Sequence, residues 1–208
     1  MAVQQVKPGE FLVPELGRVI RITDVRQDDF YDTVAIPAAL FTAGTQYKPF
    51  DSISGKGKQN CNVTTARRIP GRNRFNLLRV GFVLRQAAGA TLALAADLIR
   101  TYEAGALKFS INTRLVTEGP FIKYQSGYGV TGQSTENAVS LITLGTASQV
   151  AAPKFIAAQP INDEDDLDCE LNFPGTASWD SNVVMPTTTA RMHASVFLHG
   201  IIEKPITT

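Results

Sequence analysis

The chain has 208 residues, with 20 Lys and Arg against 19 Asp and Glu, for a formal net charge of +1. That balance excludes a protein whose whole surface is given over to nucleic acid or anionic membrane. At this length, with 44% apolar residues, one domain can bury a core without disulfides or a structural metal.

No apolar run approaches the ~18 residues of a membrane helix. Residues 1–5 lack a charged segment leading into an apolar one, so the sequence predicts a soluble protein made in a cytosol. The two cysteines, Cys61 and Cys169, match neither a zinc spacing nor a CxxC motif. They read as small buried thiols, and sequence alone does not say whether they pair.

In chain order, residues 1–17, with Pro8 and Pro14, read as an extended N-terminal arm. Residues 18–23 (RVIRIT) are β-branched and predict a strand. An acidic turn at 28–32 precedes a short strand at 33–36, which stops at Pro37. Residues 75–84 (FNLLRVGFVL) place Leu78, Val80, Phe82 and Leu84 on one face, the period-2 pattern of a strand against a core. Residues 91–104 are rich in helix formers; Thr91 suits an N-cap, and Gly105 suits the left-handed position that ends a helix. Leu107, Phe109 and Ile111 alternate with polar residues. Residues 138–144 and 154–158 are further strand candidates. Leu167, Cys169, Leu171 and Phe173 alternate with Asp168, Glu170 and Asn172. The last strand, about 190–203, sets Met192, Ala194, Val196, Leu198 and Ile202 on one face. Its other face, with His193, Ser195, Phe197, His199 and Ile201, is also partly apolar, which suits a central or doubly covered strand. About eight strands with turn-rich connections and one short inserted helix predict an all-β jelly-roll or Greek-key β-sandwich, in one domain over 1–208.

Two segments concentrate charge. The loop at about 42–74 carries Lys48, Lys56, Lys58, Arg67, Arg68, Arg72 and Arg74 against Asp51 alone, and reads as a long, polar, flexible excursion. Three readings stand: a phosphate-contacting patch, a docking arm for an acidic surface, or a solvated loop. Gly55-Lys56-Gly57-Lys58 lacks the spacing of a P-loop. The second segment is acidic, with Asp163, Glu164, Asp165, Asp166, Asp168 and Glu170 in eight residues. Such oxygens suit Ca²⁺, but the EF-hand pattern fails. Pairing with the basic loop, within a subunit or across an interface, and a plain solvated turn are the other readings.

Catalytic patterns are weak. His193 and His199 are six apart on one strand face, about 20 Å, too far to share a metal. No serine sits in a GxSxG elbow, and nothing sets Glu103, Glu118 or the acidic cluster at a glycosidase separation. Asn62-Val63-Thr64 is formally a glycosylation sequon and reads as chance in a cytosolic chain. The expectation is no enzyme, no catalytic residues, no metal and no cofactor.

Four stretches carry a resemblance: 75–84 followed by the Ala-rich helix; 107–114 running into Glu118-Gly119-Pro120-Phe121 and Gly127-Tyr128-Gly129; 154–161 with its acidic turn; and the closing strand through Val196-Phe197-Leu198-His199-Gly200-Ile201-Ile202. In organisation the chain resembles bacteriophage virion structural proteins of the single jelly-roll kind, though it lacks a basic N-terminal arm. The resemblance implies a capsid component located in the virion, either a shell-forming or a cement subunit. It would partner copies of itself and other capsid proteins, as a trimer or larger assembly. A carbohydrate- or receptor-binding module of a phage tail or fibre, using exposed aromatics such as Tyr124, Tyr128 or Trp179, is the alternative, and a hydrolase the third.

Overall fold

Alternation sets the core. Leu107 and Phe109, and Leu167, Cys169 and Leu171, are at most 1% exposed, while the residues between them face outward. Side chains of this size each contribute about 1.5–3 kcal/mol when fully buried, which fixes strand register, because a slip of one residue would expose the whole row.

The computed structural model describes residues 4–7, 10–13, 18–21, 25–36, 45–69, 74–86, 105–124, 154–173 and 192–203. Its strands are β1 (Gln4–Lys7), β2 (Glu10–Val13), β3 (Arg18–Arg21), β4 (Val25–Ile36), β5 (Thr45–Tyr47), β6 (Arg74–Gln86), β7 (Ala106–Ile111), β8 (Arg114–Pro120), β9 (Lys154–Ile161), β10 (Leu167–Phe173) and β11 (Met192–Glu203). A 3₁₀ turn, Phe121–Tyr124, follows β8. The expected helix at 91–104 and strand at 138–144 lie outside the described residues.

Strands β4 to β11 form two antiparallel four-stranded sheets, ordered β4-β11-β6-β9 and β5-β10-β7-β8. Only β7 and β8 are sequential neighbours in one sheet; every other step from β4 onward crosses between sheets. This is the eight-stranded jelly roll of the expected β-sandwich class. Phe121 joins the layers: its ring stacks on Phe82 of β6 at 4.2 Å and meets Phe173 of β10 edge-on at 5.2 Å.

Several local expectations change. The residues expected as an extended arm make β1 and β2, which join β3 in a separate three-stranded antiparallel sheet. The supposed acidic turn at 28–32 is strand: Asp28, Asp29 and Asp32 pair with Gly200, His199 and Val196 along β4. In β6, Leu77 rather than Leu78 is buried, because a bulge opposite His199 and Gly200 inserts Leu78 into the ladder and flips the alternation. The close approach there needs glycine: a Cβ on Gly200 would lie 2.3 Å from the Asn76 carbonyl oxygen. Gly105 is also explained by packing and not by a left-handed backbone, since a Cβ would fall 1.9 Å from the Phe121 ring.

Candidate functional site: the charged end of the sandwich

The basic loop is not a loose excursion. It contains β5, and it turns back through Phe50, Val63 and Ile69, all buried in the core. Phe50 adopts a positive φ of 69° and is fully buried. Its N–H donates to Asp32 Oδ2 at 2.7 Å, and its carbonyl accepts from the Arg67 N–H at 2.8 Å. Lys56 Nζ donates to both oxygens of Asp32, at 2.8 and 2.7 Å. Asp32 is wholly buried and Lys56 partly so, and the pair anchors the loop to β4.

Asn62 closes the open edge of β4. Its N–H donates to the Tyr31 carbonyl at 3.2 Å, its Oδ1 accepts from the Tyr31 N–H at 2.8 Å, and its Nδ2 donates to the Asp29 carbonyl at 2.7 Å. One side chain and one amide thus supply bonds that a neighbouring strand would make. The amide nitrogen of the formal sequon is committed to this role. The Tyr31 hydroxyl donates to the Lys58 carbonyl beside it.

The acidic segment meets the same loop within one chain. Arg67 Nη2 lies 2.7 Å from Asp166 Oδ2 and 3.9 Å from Asp168 Oδ1, and Arg67 Nη1 lies 3.8 Å from Asp51. The Leu167 N–H donates to the Arg67 carbonyl at 2.7 Å. Lys48 reaches Asp168 at 3.6 Å and Glu170 at 3.4 Å, and Lys108 reaches Glu170 at 3.4 Å. Asp168 and Glu170 in turn hold the Lys48 ammonium above its usual range. Burial works to raise the Glu170 pKa, but the hydrogen bonds and charges of Lys48 and Lys108 outweigh it and hold the carboxyl below its usual range.

A third element locks the turn between β9 and β10. Asn112, in the β7–β8 turn with φ 55°, donates from Nδ2 to Asp165 at 2.9 Å and accepts the Asp166 N–H at 2.9 Å. Asp165 also accepts the Asn162 N–H at 2.7 Å. That backbone bond, and the Asn112 side chain, lower the Asp165 pKa against a smaller opposing effect of burial.

The candidate residues therefore divide. Lys48, Lys56, Arg67, Asp165 and Asp166 are engaged in fastening loops to one another. Lys58, Arg68, Arg74 and Glu164 are exposed, and Asp163 is half-buried; Arg72 lies outside the described residues. The organising residues that sequence reasoning missed are Asp32, Asn62 and Asn112. The one available signal was Asp32 itself, a charged residue inside a stretch whose neighbours are strand formers.

Cys61 and Cys169 are both buried and unpaired. Burial pushes both thiols up, that of Cys169 well above the usual range. Among the described residues no three His, Cys, Asp or Glu side chains gather to hold a metal ion, and no helix is long and apolar enough to cross a membrane. On the outer face of β4 and β11, His199 Nδ1 sits 2.9 Å from Asp29 Oδ1, a close contact without good hydrogen-bond alignment. The His199 ring lies parallel to Phe197 at 5.9 Å, and Tyr31 lies 5.8 Å beyond. Tyr124 is 1% exposed, with its hydroxyl 2.8 Å from Thr117 Oγ1, so it is no surface platform. Tyr128 and Trp179 lie outside the described residues.

No protein-family model matches the chain, and no curated protein matches it.

Proposed function

We propose that the chain is a structural component of a bacteriophage capsid, a shell-forming or cement subunit located in the virion and acting through contacts with copies of itself and with other capsid proteins. The observation that carries this reading is the strand order β4-β11-β6-β9 against β5-β10-β7-β8. Shell proteins use this jelly roll as a rigid block, a fold they share with lectins and cupins. Support comes from how the charge is used. The conspicuous basic and acidic segments fasten one end of the sandwich through Arg67 with Asp166 and Lys48 with Glu170. A block whose loops are fixed in this way suits repeated contacts in a lattice. The test is the mass of purified protein by size exclusion with light scattering, followed by negative-stain imaging. Trimers, rings or particles support the reading, and a strict monomer at high concentration that also fails to bind a capsid lattice overturns it.

The Tyr31, Phe197 and His199 row favours a second reading, a carbohydrate- or receptor-binding module of a phage tail or fibre. Its sign would be glycan affinity that Phe197→Ala abolishes.

A further inference from the structure

Among the described residues the sandwich has four edge strands, β4 and β9 in one sheet and β5 and β8 in the other. An edge strand presents unpaired N–H and C=O groups on which a strand of another chain can build. On β4 those groups are taken. The Asp29 N–H donates to Asp28 Oδ1 at 2.9 Å, and the Asp29 carbonyl accepts from Asn62 Nδ2 at 2.7 Å. The Tyr31 N–H donates to Asn62 Oδ1 at 2.8 Å, and the Tyr31 carbonyl accepts from the Asn62 N–H at 3.2 Å. An isolated bridge between Asp32 and Cys61 continues the seal.

The other three edges are finished by different means. β5 is three residues long. In β8 the ladder with β7 passes from Phe109↔Thr117 to Ser110↔Leu115, which leaves Val116 as an extra residue. Lys123 Nζ donates to the Glu118 carbonyl at 3.2 Å, and Pro120 brings no N–H. In β9 the pairing with β6 jumps from Leu77↔Gln159 to Arg79↔Lys154, so residues 155–158 bulge from the ladder with the exposed Ile156 at the crest. Gln159 Nε2 donates to the Ala157 carbonyl at 3.0 Å, and Pro160 again lacks an N–H. Short strands, bulges, prolines and lysines are the devices that keep a sheet from growing.

We infer that all four edges of the sandwich are finished against strand addition, and that closure of β4 depends on Asn62. A partner, whether a second copy or another protein, therefore meets this block through side chains and extends neither sheet. β4 is the edge that most needs the seal: its 12 residues pair with β11 along their whole length and would template a long ladder if uncovered. The inference concerns the mode of contact and holds whether or not the chain is a capsid subunit.

Amide hydrogen exchange of the full chain, with sedimentation velocity on the same samples, tests it. In the wild type, exchange in residues 28–33, 114–120 and 154–161 should stay within about twofold from dilute to concentrated solution, whatever larger species form. Slowing by about tenfold or more in any of these segments as the chain associates overturns the inference, because a new ladder protects the amides it engages. Asn62→Ala removes the seal, with Asn62→Ser in its place should the first not fold; thermal melts confirm folding. Exchange at Tyr31 should quicken about tenfold in dilute solution. Self-association should set in at a concentration about tenfold or more below that of the wild type, with protection at Tyr31 returning as it does. An Asn62 that merely holds its loop would lower the melting temperature and leave sedimentation unchanged. A folded variant that sediments as the wild type does at every concentration therefore overturns the inference.

Discussion

Lys56 Nζ binds both carboxylate oxygens of Asp32, and Asp32 has no solvent exposure. The pair joins the middle of β4 to the tip of a loop 24 positions later. Removing Lys56 leaves the buried carboxylate with the Phe50 N–H but without its counter-charge, which costs more than the pair's net contribution. Lys56→Met is therefore expected to destabilise the fold by about 3–5 kcal/mol. The double change Asp32→Leu, Lys56→Met should cost less than the sum of the single changes. Urea unfolding of the three variants checks this, and additive losses would show that the two residues are not coupled.

Acid should loosen the charged end first. Asp165 and Glu170 are both held below their ordinary values of 3.8 and 4.5. A carboxyl depressed on folding adds stability that is fully present above its unfolded pKa and is lost as pH falls through the lower folded value. Urea midpoints should thus hold steady down to about pH 5 and fall below that. Asp165→Asn with Glu170→Gln should flatten the fall, and an identical slope in the variant would remove these two groups from the account.

Neither thiol should be reactive in the folded protein. Cys169 is 1% exposed and Cys61 6%, and burial raises both above 9.0. Thiolate, not thiol, is the nucleophile. An aromatic disulfide reagent at about pH 8 should label neither residue in native buffer and both in denaturant. Rapid native labelling would mean that the core opens locally.

Gly200→Ala should be costly although alanine is small. Its Cβ would lie 2.3 Å from the Asn76 carbonyl oxygen and 2.5 Å from the Phe75 ring. The carbonyl belongs to the backbone of β6 and can yield only if the ladder shifts. Overpacking of this kind costs about 1–3 kcal/mol. A melting temperature equal to the wild type would show that the bulge adjusts freely.

The core strands were legible because burial on one face leaves a period of two. Leu107, Phe109 and Ile111, the row from Leu167 to Phe173, and the row from Met192 to Leu198 all face inward as their alternation predicts. The last strand is central, between β4 and β6, as its two partly apolar faces implied. β8 escaped notice because an edge strand has less to bury: most of its residues are exposed or half-exposed, and its sequence lacks alternation. β5 was hidden by its length of three residues.

Local pattern specifies the β-sandwich class, the inward faces of its central strands, and the presence of one basic and one acidic segment. That those segments meet within the chain, through Arg67 with Asp166 and Lys48 with Glu170, follows from strand order and not from local pattern. The tertiary structure also places Asp32 inside, Asn62 along the edge of β4, and Ile156 at the crest of a bulge. The physical reason is range. Alternation is a local pattern, written within a few residues because side chains project to opposite faces at each step. Ion pairing, edge closure and bulging depend on which strands become neighbours after crossing between sheets, and residues 99 positions apart in Arg67 and Asp166 carry no local mark of each other.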